Sequence, residues 1–123
     1  MSPRRFIATR HVLADLDTGL TWAPTPAAPR VVWAAAAAEA ATRGQRLPTA
    51  NELVTMLTGL PPSPGMPDPG DVLWSSSGSP FAPRTRVRAV ACDGAGRFVV
   101  VLLERTERAR WWGVNGESTR RRT

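Results

Sequence analysis

His11 and Cys92 are the only histidine and the only cysteine in this chain of 123 residues, and a Cys–His dyad is the one nucleophilic arrangement it can supply. Nucleophilic catalysis needs the base held beside the nucleophile by a third group. Nothing in the sequence around either residue provides that. Cys92 reads instead as a small buried apolar residue on a strand. The sequence therefore implies no enzyme, no catalytic residue and no cofactor. Asp15 and Asp17 are the nearest approach to a cation site, but calcium takes roughly six to eight oxygen ligands from a spaced run. Turn-forming aspartates are the better account, so calcium-dependent sugar binding is not expected.

The residues with most to offer are the arginines. All 16 basic residues are Arg, against 10 acidic ones, for a net charge of +6. A guanidinium binds carboxylate or phosphate through two parallel hydrogen bonds. Arg84, Arg86 and Arg88 alternate, so they project from one face of a strand, and Arg97, Arg108 and Arg110 can join them across a sheet. Trp111 adds a ring on which a base can stack. Such a face suits an acidic protein partner or a homo-oligomer contact, with a nucleic acid as the alternative. The plainer account is a solvated face balanced by Glu104 and Glu107. Arg4-Arg5 and Arg120-Arg121-Arg122 assign part of the charge to the two tails.

These side chains must be positioned by a small fold. The length allows one domain, read as residues 1–115 with a basic tail at 116–123. With one cysteine no intrachain disulfide forms. Met1 to Arg5 leads into no apolar stretch of signal-peptide type, and no apolar run reaches membrane-spanning length, so a soluble protein made in the cytoplasm, with no membrane insertion, is expected. Residues 5–23 predict two short strands around a turn, with His11 in a strand and Gly19 free to take positive φ, and Pro24, Pro26 and Pro29 end any ladder there. Val31 to Arg43 is Ala-rich and predicts a helix closed by Gly44. A second helix opens at Thr49 with Glu52 three residues on, the spacing of a capping box, and Leu53, Met56, Leu57 and Leu60 form its core face. Residues 59–71 hold five prolines and predict a loop. Val72 to Trp74, Arg86 to Cys92, Arg97 to Glu104 and Ala109 to Val114 predict strands, and Ser75 to Pro83 a connection. The run Phe98 to Leu103 suits a central strand covered on both faces.

The order Asp17-Thr18-Gly19-Leu20-Thr21-Trp22, Trp33, Arg46-Leu47-Pro48-Thr49-Ala50-Asn51-Glu52-Leu53, Leu73-Trp74-Ser75-Ser76-Ser77 and Arg110-Trp111-Trp112-Gly113-Val114 resembles the Lcl C-terminal domain family, named for the end domain of a bacterial collagen-like adhesin. Leu73 stands where the family has an aromatic residue, and Gln45 where it has Trp. The resemblance covers about residues 12–115 and implies an α+β, C-type-lectin-like fold, with two helices packed on a twisted antiparallel sheet and long irregular loops. On this reading Trp22, Trp33 and Trp74 fill the junction of helices and sheet, Pro48 places the chain before the Thr49 cap, Arg46 pairs with Glu52, and Ser75 satisfies backbone groups as its strand turns away. Lectin-like domains of this sort recur on phage tails and other bacterial surface-recognition devices. The resemblance thus implies a binding or structural role by protein or surface-ligand contact, in a virion or similar host-recognition particle. The expected contact surface is the 59–71 loop, the 75–83 connection and the arginine face, with Arg84, Arg86, Arg88, Arg97, Arg110 and Trp111 as its residues.

Overall fold

The structure, a computed structural model, describes residues 5–59, 67, 70–78, 84–92 and 97–116. Strands β1 (Phe6–Ala8), β2 (Leu13–Asp15), β3 (Thr21–Trp22), β4 (Ala27–Val31), helices α1 (Trp33–Thr42) and α2 (Ala50–Gly59), and strands β5 (Val72–Gly78), β6 (Arg86–Cys92), β7 (Phe98–Glu104), β8 (Ala109–Trp111) and β9 (Val114–Asn115) follow one another along the chain. They form a four-stranded sheet in the order β1-β2-β3-β9 and a five-stranded sheet in the order β4-β8-β5-β6-β7. The class is α+β. Leu60, most of the 59–71 loop, the 79–83 part of the connection, the 93–96 turn and the tail from 117 onward lie outside the described residues.

Local chemistry explains the helices. Thr49 and Glu52 make the expected capping box: Thr49 N–H donates to Glu52 Oε1 at 2.8 Å, and Glu52 N–H to Thr49 Oγ1 at 3.1 Å. Arg46 holds the same carboxylate through both terminal nitrogens, at 2.8 and 3.0 Å, and ties it to the residue after β9 by donating to Gly116 O at 2.8 Å. Pro48 is buried just ahead of the cap, and its carbonyl accepts Ser76 N–H at 2.8 Å. Ser77 Oγ accepts Ala50 N–H at 3.0 Å, so a residue of β5 caps α2 from a distance. α1 starts at Trp33, two residues later than the Ala-rich run predicts, because Val31 is spent in a ladder pairing with Ala109. It ends as expected at Gly44, whose φ of 71° supplies the left-handed residue past the cap.

The helices lie on opposite faces of the five-stranded sheet. Successive strand residues point to opposite faces. Leu73 belongs to a core cluster with Leu53, Met56 and Leu57 of α2, whereas Trp74 belongs to a second cluster with Ala36 and Ala40 of α1. The indoles divide in the same way, which corrects the expectation that three of them meet at one junction. Trp22 packs edge to face on Trp112, ring centroids 5.7 Å apart, on the α2 side. Trp74 and Trp33 sit on the α1 side and tie β5 to β4 and α1, Trp74 Nε1 donating to Val31 O at 2.8 Å and Trp33 Nε1 to Ser75 O at 2.9 Å.

Four further expectations are corrected. The sheet is mixed, because β5 and β8 run parallel through the Leu73–Arg110 pair. Pro29 does not end the ladder: β4 is the edge strand, paired to β8 with a shift in register between Ala27 and Val31, and an edge or bulge tolerates a missing N–H. β5 continues through the serines to Gly78, with an irregularity after Trp74. There Ser75 Oγ donates to Arg88 O at 2.6 Å and accepts Ser77 N–H at 3.1 Å, the backbone-satisfying role expected of it. Finally, Phe98–Glu104 is an edge strand, not a central one, and Val99, Val100 and Leu102 are exposed on it.

Candidate functional site

Each polar residue that chemistry could use has a place in this frame. His11 is exposed in the turn between β1 and β2, not within a strand as expected, and Cys92 is buried at the end of β6. Asp15 is a buried structural acid. Arg5 clamps its two oxygens, Nε to Oδ1 and Nη2 to Oδ2, both at 2.9 Å, Asp17 N–H reaches Oδ1 at 3.0 Å, and Arg5 also donates to Thr55 O of α2. Desolvation pushes the Asp15 carboxyl up, but hydrogen bonds from Arg5, the Asp17 amide and Thr18, with the Arg5 charge, outweigh it and hold the group below its ordinary value. The same contest, won by Arg46 and Thr49, holds Glu52 down. Among the described residues no cluster of three His, Cys, Asp or Glu is placed to hold a metal.

Two members of the expected contact set are structural. Arg110 lies on β8, where its guanidinium donates to Asp71 Oδ2 at 2.7 Å and to Ala27 O at 3.0 Å, fastening the start of β5 to β4. Trp111 is only 3% exposed, with the Arg43 guanidinium 5.1 Å from its ring centre. It therefore offers no platform for a base. Arg97 is exposed but precedes β7 at the far end of the hairpin. The register pairs Cys92 with Phe98 and Arg86 with Glu104, so Arg97 and Arg86 lie about 24 Å apart along the strands at 3.4 Å per residue.

Arg86 and Arg88 do share one face of β6, and Arg84 sits in the turn just before it. Arg5, Arg43, Arg46 and Arg110 are spent on ion pairs, and Arg105 stacks over Trp33 at 4.5 Å. By contrast, no described carboxylate lies within ion-pair distance of Arg84, Arg86 or Arg88. Arg10, Arg30 and Arg108 share that freedom but lie on separate turns and strands. Directly across β7, Leu102 opposes Arg88 and Val100 opposes Val90. α2 covers the Val90 and Phe98 end of this face, leaving Val100 at 48% and Leu102 at 43% exposure beside the arginines.

The open side of β7 adds main-chain groups to this patch. Arg105 N–H donates to Thr85 O at 2.8 Å, which makes Thr85 and Arg105 a hydrogen-bonded pair. In an antiparallel ladder such pairs alternate with non-bonded ones. Val99, Val101 and Leu103 therefore bond to β6, and the N–H and C=O of Val100 and Leu102 point away from the sheet. Glu104 N–H, also outward, is taken up by Glu107 Oε2 at 2.9 Å. Among the described residues β7 pairs with β6 alone. Sequence reasoning found the arginines but missed Val100 and Leu102, because an apolar run carries no local mark of whether its strand is central or at an edge.

Two concave sites among the described residues are poorer candidates. A groove of about 160 Å³ between β4 and α1, lined by Pro29, Val31, Ala35, Glu39, Arg43 and Trp111, is below the ~300–1,000 Å³ of ordinary ligand pockets. The depression around Gly44, Gln45 and Asn115 is broad and open, and its one cation, Arg46, is already engaged. The arginine-flanked edge of the β6–β7 hairpin is thus where free charge, exposed apolar side chains and open main chain coincide. Comparison with protein-family models, with curated proteins and with solved structures finds no match to this chain.

Proposed function

We propose that this chain is a non-catalytic binding domain that works by protein or surface-ligand contact through the β6–β7 hairpin, as a component of a larger assembly. The observation that carries the reading is the row of Arg84, Arg86 and Arg88, which have no ion-pair partner among the described residues, beside exposed Val100 and Leu102, in a fold whose Asp15, Glu52 and Asp71 carboxylates are each paired with an arginine. The finer fold reading, C-type-lectin-like and akin to the Lcl C-terminal domain family, is supported by the pairing of β3 with β9, which brings the two ends of the fold together. The Arg46–Glu52 clamp of the Arg-Leu-Pro-Thr segment supports it too. A virion or other host-recognition particle is the setting that this likeness suggests. The helices pack on opposite faces of the sheet, so the β7 end of the hairpin is left for an outside partner.

A triple change of Arg84, Arg86 and Arg88 to Ser tests the site. These side chains make no described ion pair, so the melting temperature is expected to stay within about 2 °C of the parent, surface changes being typically within ±0.5 kcal/mol. Retention on a polyglutamate-coated sensor at low salt is expected to fall about tenfold. Unchanged retention contradicts the assignment. Stronger retention of duplex DNA than of polyglutamate, lost in the same variant, favours the nucleic-acid alternative, whose steep salt dependence identifies it.

A further inference from the structure

The geometry points to β7 as an acceptor for an added strand: an extended acidic segment of a partner protein, alternating apolar and Asp or Glu residues, that pairs with the outward N–H and C=O of Val100 and Leu102. The inference rests on the contact function proposed above and names its chemistry. Natural sheets protect their edges with short strands, bulges, proline or charge. β7 has none of these over Phe98–Leu103: seven consecutive residues of Phe98–Glu104 pair with Arg86–Cys92 without a register shift, and no charge or proline interrupts the first six. The opposite edge, β4, shows what protection looks like, with Pro29 and a shifted register. An unprotected edge with Val100 and Leu102 half exposed is suited to strand addition, in which main-chain bonds give affinity and alternate side chains give specificity.

Charge selects the occupant. An added strand lies about 4.8 Å beyond β7 and about twice that from β6. Arg86 and Arg88 are on the face shared with Val100 and Leu102, and a carboxylate on the added strand is within the combined reach of a glutamate and an arginine side chain. The apolar residues of the segment would extend the Val100–Leu102 patch. A second copy of this chain fits less well, since it brings +6 against +6 and offers an uncharged strand to the two guanidiniums. Nucleic acid fits less well too, because the phosphate backbone gains nothing from Val100 and Leu102. The chain's own Pro61, Pro62 and Pro64 lack the N–H donors of a ladder.

The test is an NMR titration of the full chain with a capped heptapeptide alternating valine and glutamate, with a valine–lysine peptide as control. The acidic peptide is expected to shift the amides of Val100 and Leu102, and the basic one to leave them in place. Leu102→Pro removes an outward N–H that β6 does not use, and is expected to weaken binding at least tenfold with the dispersed spectrum retained. If that variant unfolds, Leu102→Glu serves instead, placing a like charge on the edge. Arg86→Ser with Arg88→Ser is expected to weaken binding several-fold and flatten its salt dependence. If the arginine variant loses binding while both Leu102 variants keep it, contact through the arginines stands and strand addition is overturned. If neither position matters, both readings fall. Equal binding of the basic peptide, or self-association of the chain that Leu102→Pro abolishes, overturns the acidic segment as occupant.

Discussion

Trp74→Ala will cost the domain about 3–5 kcal/mol, the range for truncating a fully buried large aromatic. Trp74 has 0% exposure and packs in the cluster that joins α1 to the sheet, with Ala36, Ala40, Val87, Ala89 and Trp111. The loss combines a cavity of indole size with a stranded acceptor, since Trp74 Nε1 donates to Val31 O across to β4. Trp74→Phe separates the two: it keeps most of the volume and is expected to retain more than half of the lost stability. Urea unfolding followed by far-UV circular dichroism reads both. A loss below about 1 kcal/mol would mean that the indole is not the keystone of the α1 face. For a domain of small reserve, typically ~5–15 kcal/mol, the alanine variant sits near the edge of folding.

Arg5→Ala is expected to cost a similar ~3–5 kcal/mol at neutral pH, because it strands the Asp15 carboxylate, whose side chain is 0% exposed. The pH dependence distinguishes this cause from lost packing. In the native protein the Asp15 carboxyl is held below its ordinary value of 3.8. Its contribution is therefore fully present above that value and is lost as pH falls towards the lower folded pKa. In the variant the desolvation remains, as do the Asp17 amide and Thr18, and the largest lowering partner is gone. The folded pKa then rises, so the variant gains less stability than the parent as pH climbs through the carboxylate range. The deficit of Arg5→Ala relative to the parent is thus expected to be smaller at pH 4 than at pH 7. Adding Asp15→Asn to Arg5→Ala should recover part of it at pH 7. A deficit independent of pH, or no recovery in the double variant, would show that Arg5 acts by packing, including its contact with the Phe6 ring.

The two helices, the capping box, the Arg46–Glu52 pair and the Gly19 and Gly44 turns were legible because each rests on residues within a few positions of one another. What was not legible depends on partners far along the chain. Arg5 reads as a tail charge until β1 and β2 bring it to Asp15. Arg110 reads as part of a basic strand face until β8 places it beside Asp71, 39 residues away. Pro29 looks like a ladder stop because sequence does not say that its strand is an edge. The apolar run of β7 looks like a central strand for the converse reason, since apolar composition does not encode position within a sheet. At the candidate site, the alternation of Arg86 and Arg88 gave their shared face correctly. The joining of Arg97, Arg110 and Trp111 to it failed, because that required the sheet order β4-β8-β5-β6-β7.

The account turns on an edge of β7 that is open in the free protein, and residue-resolved amide hydrogen exchange of the dilute chain reads it directly. Val99, Val101 and Leu103, whose N–H groups face β6, are expected to exchange slowly. Val100 and Leu102, facing out, are expected to exchange at least a hundredfold faster. Equal protection of all five would contradict the account, because something in the free chain would then already cover that edge.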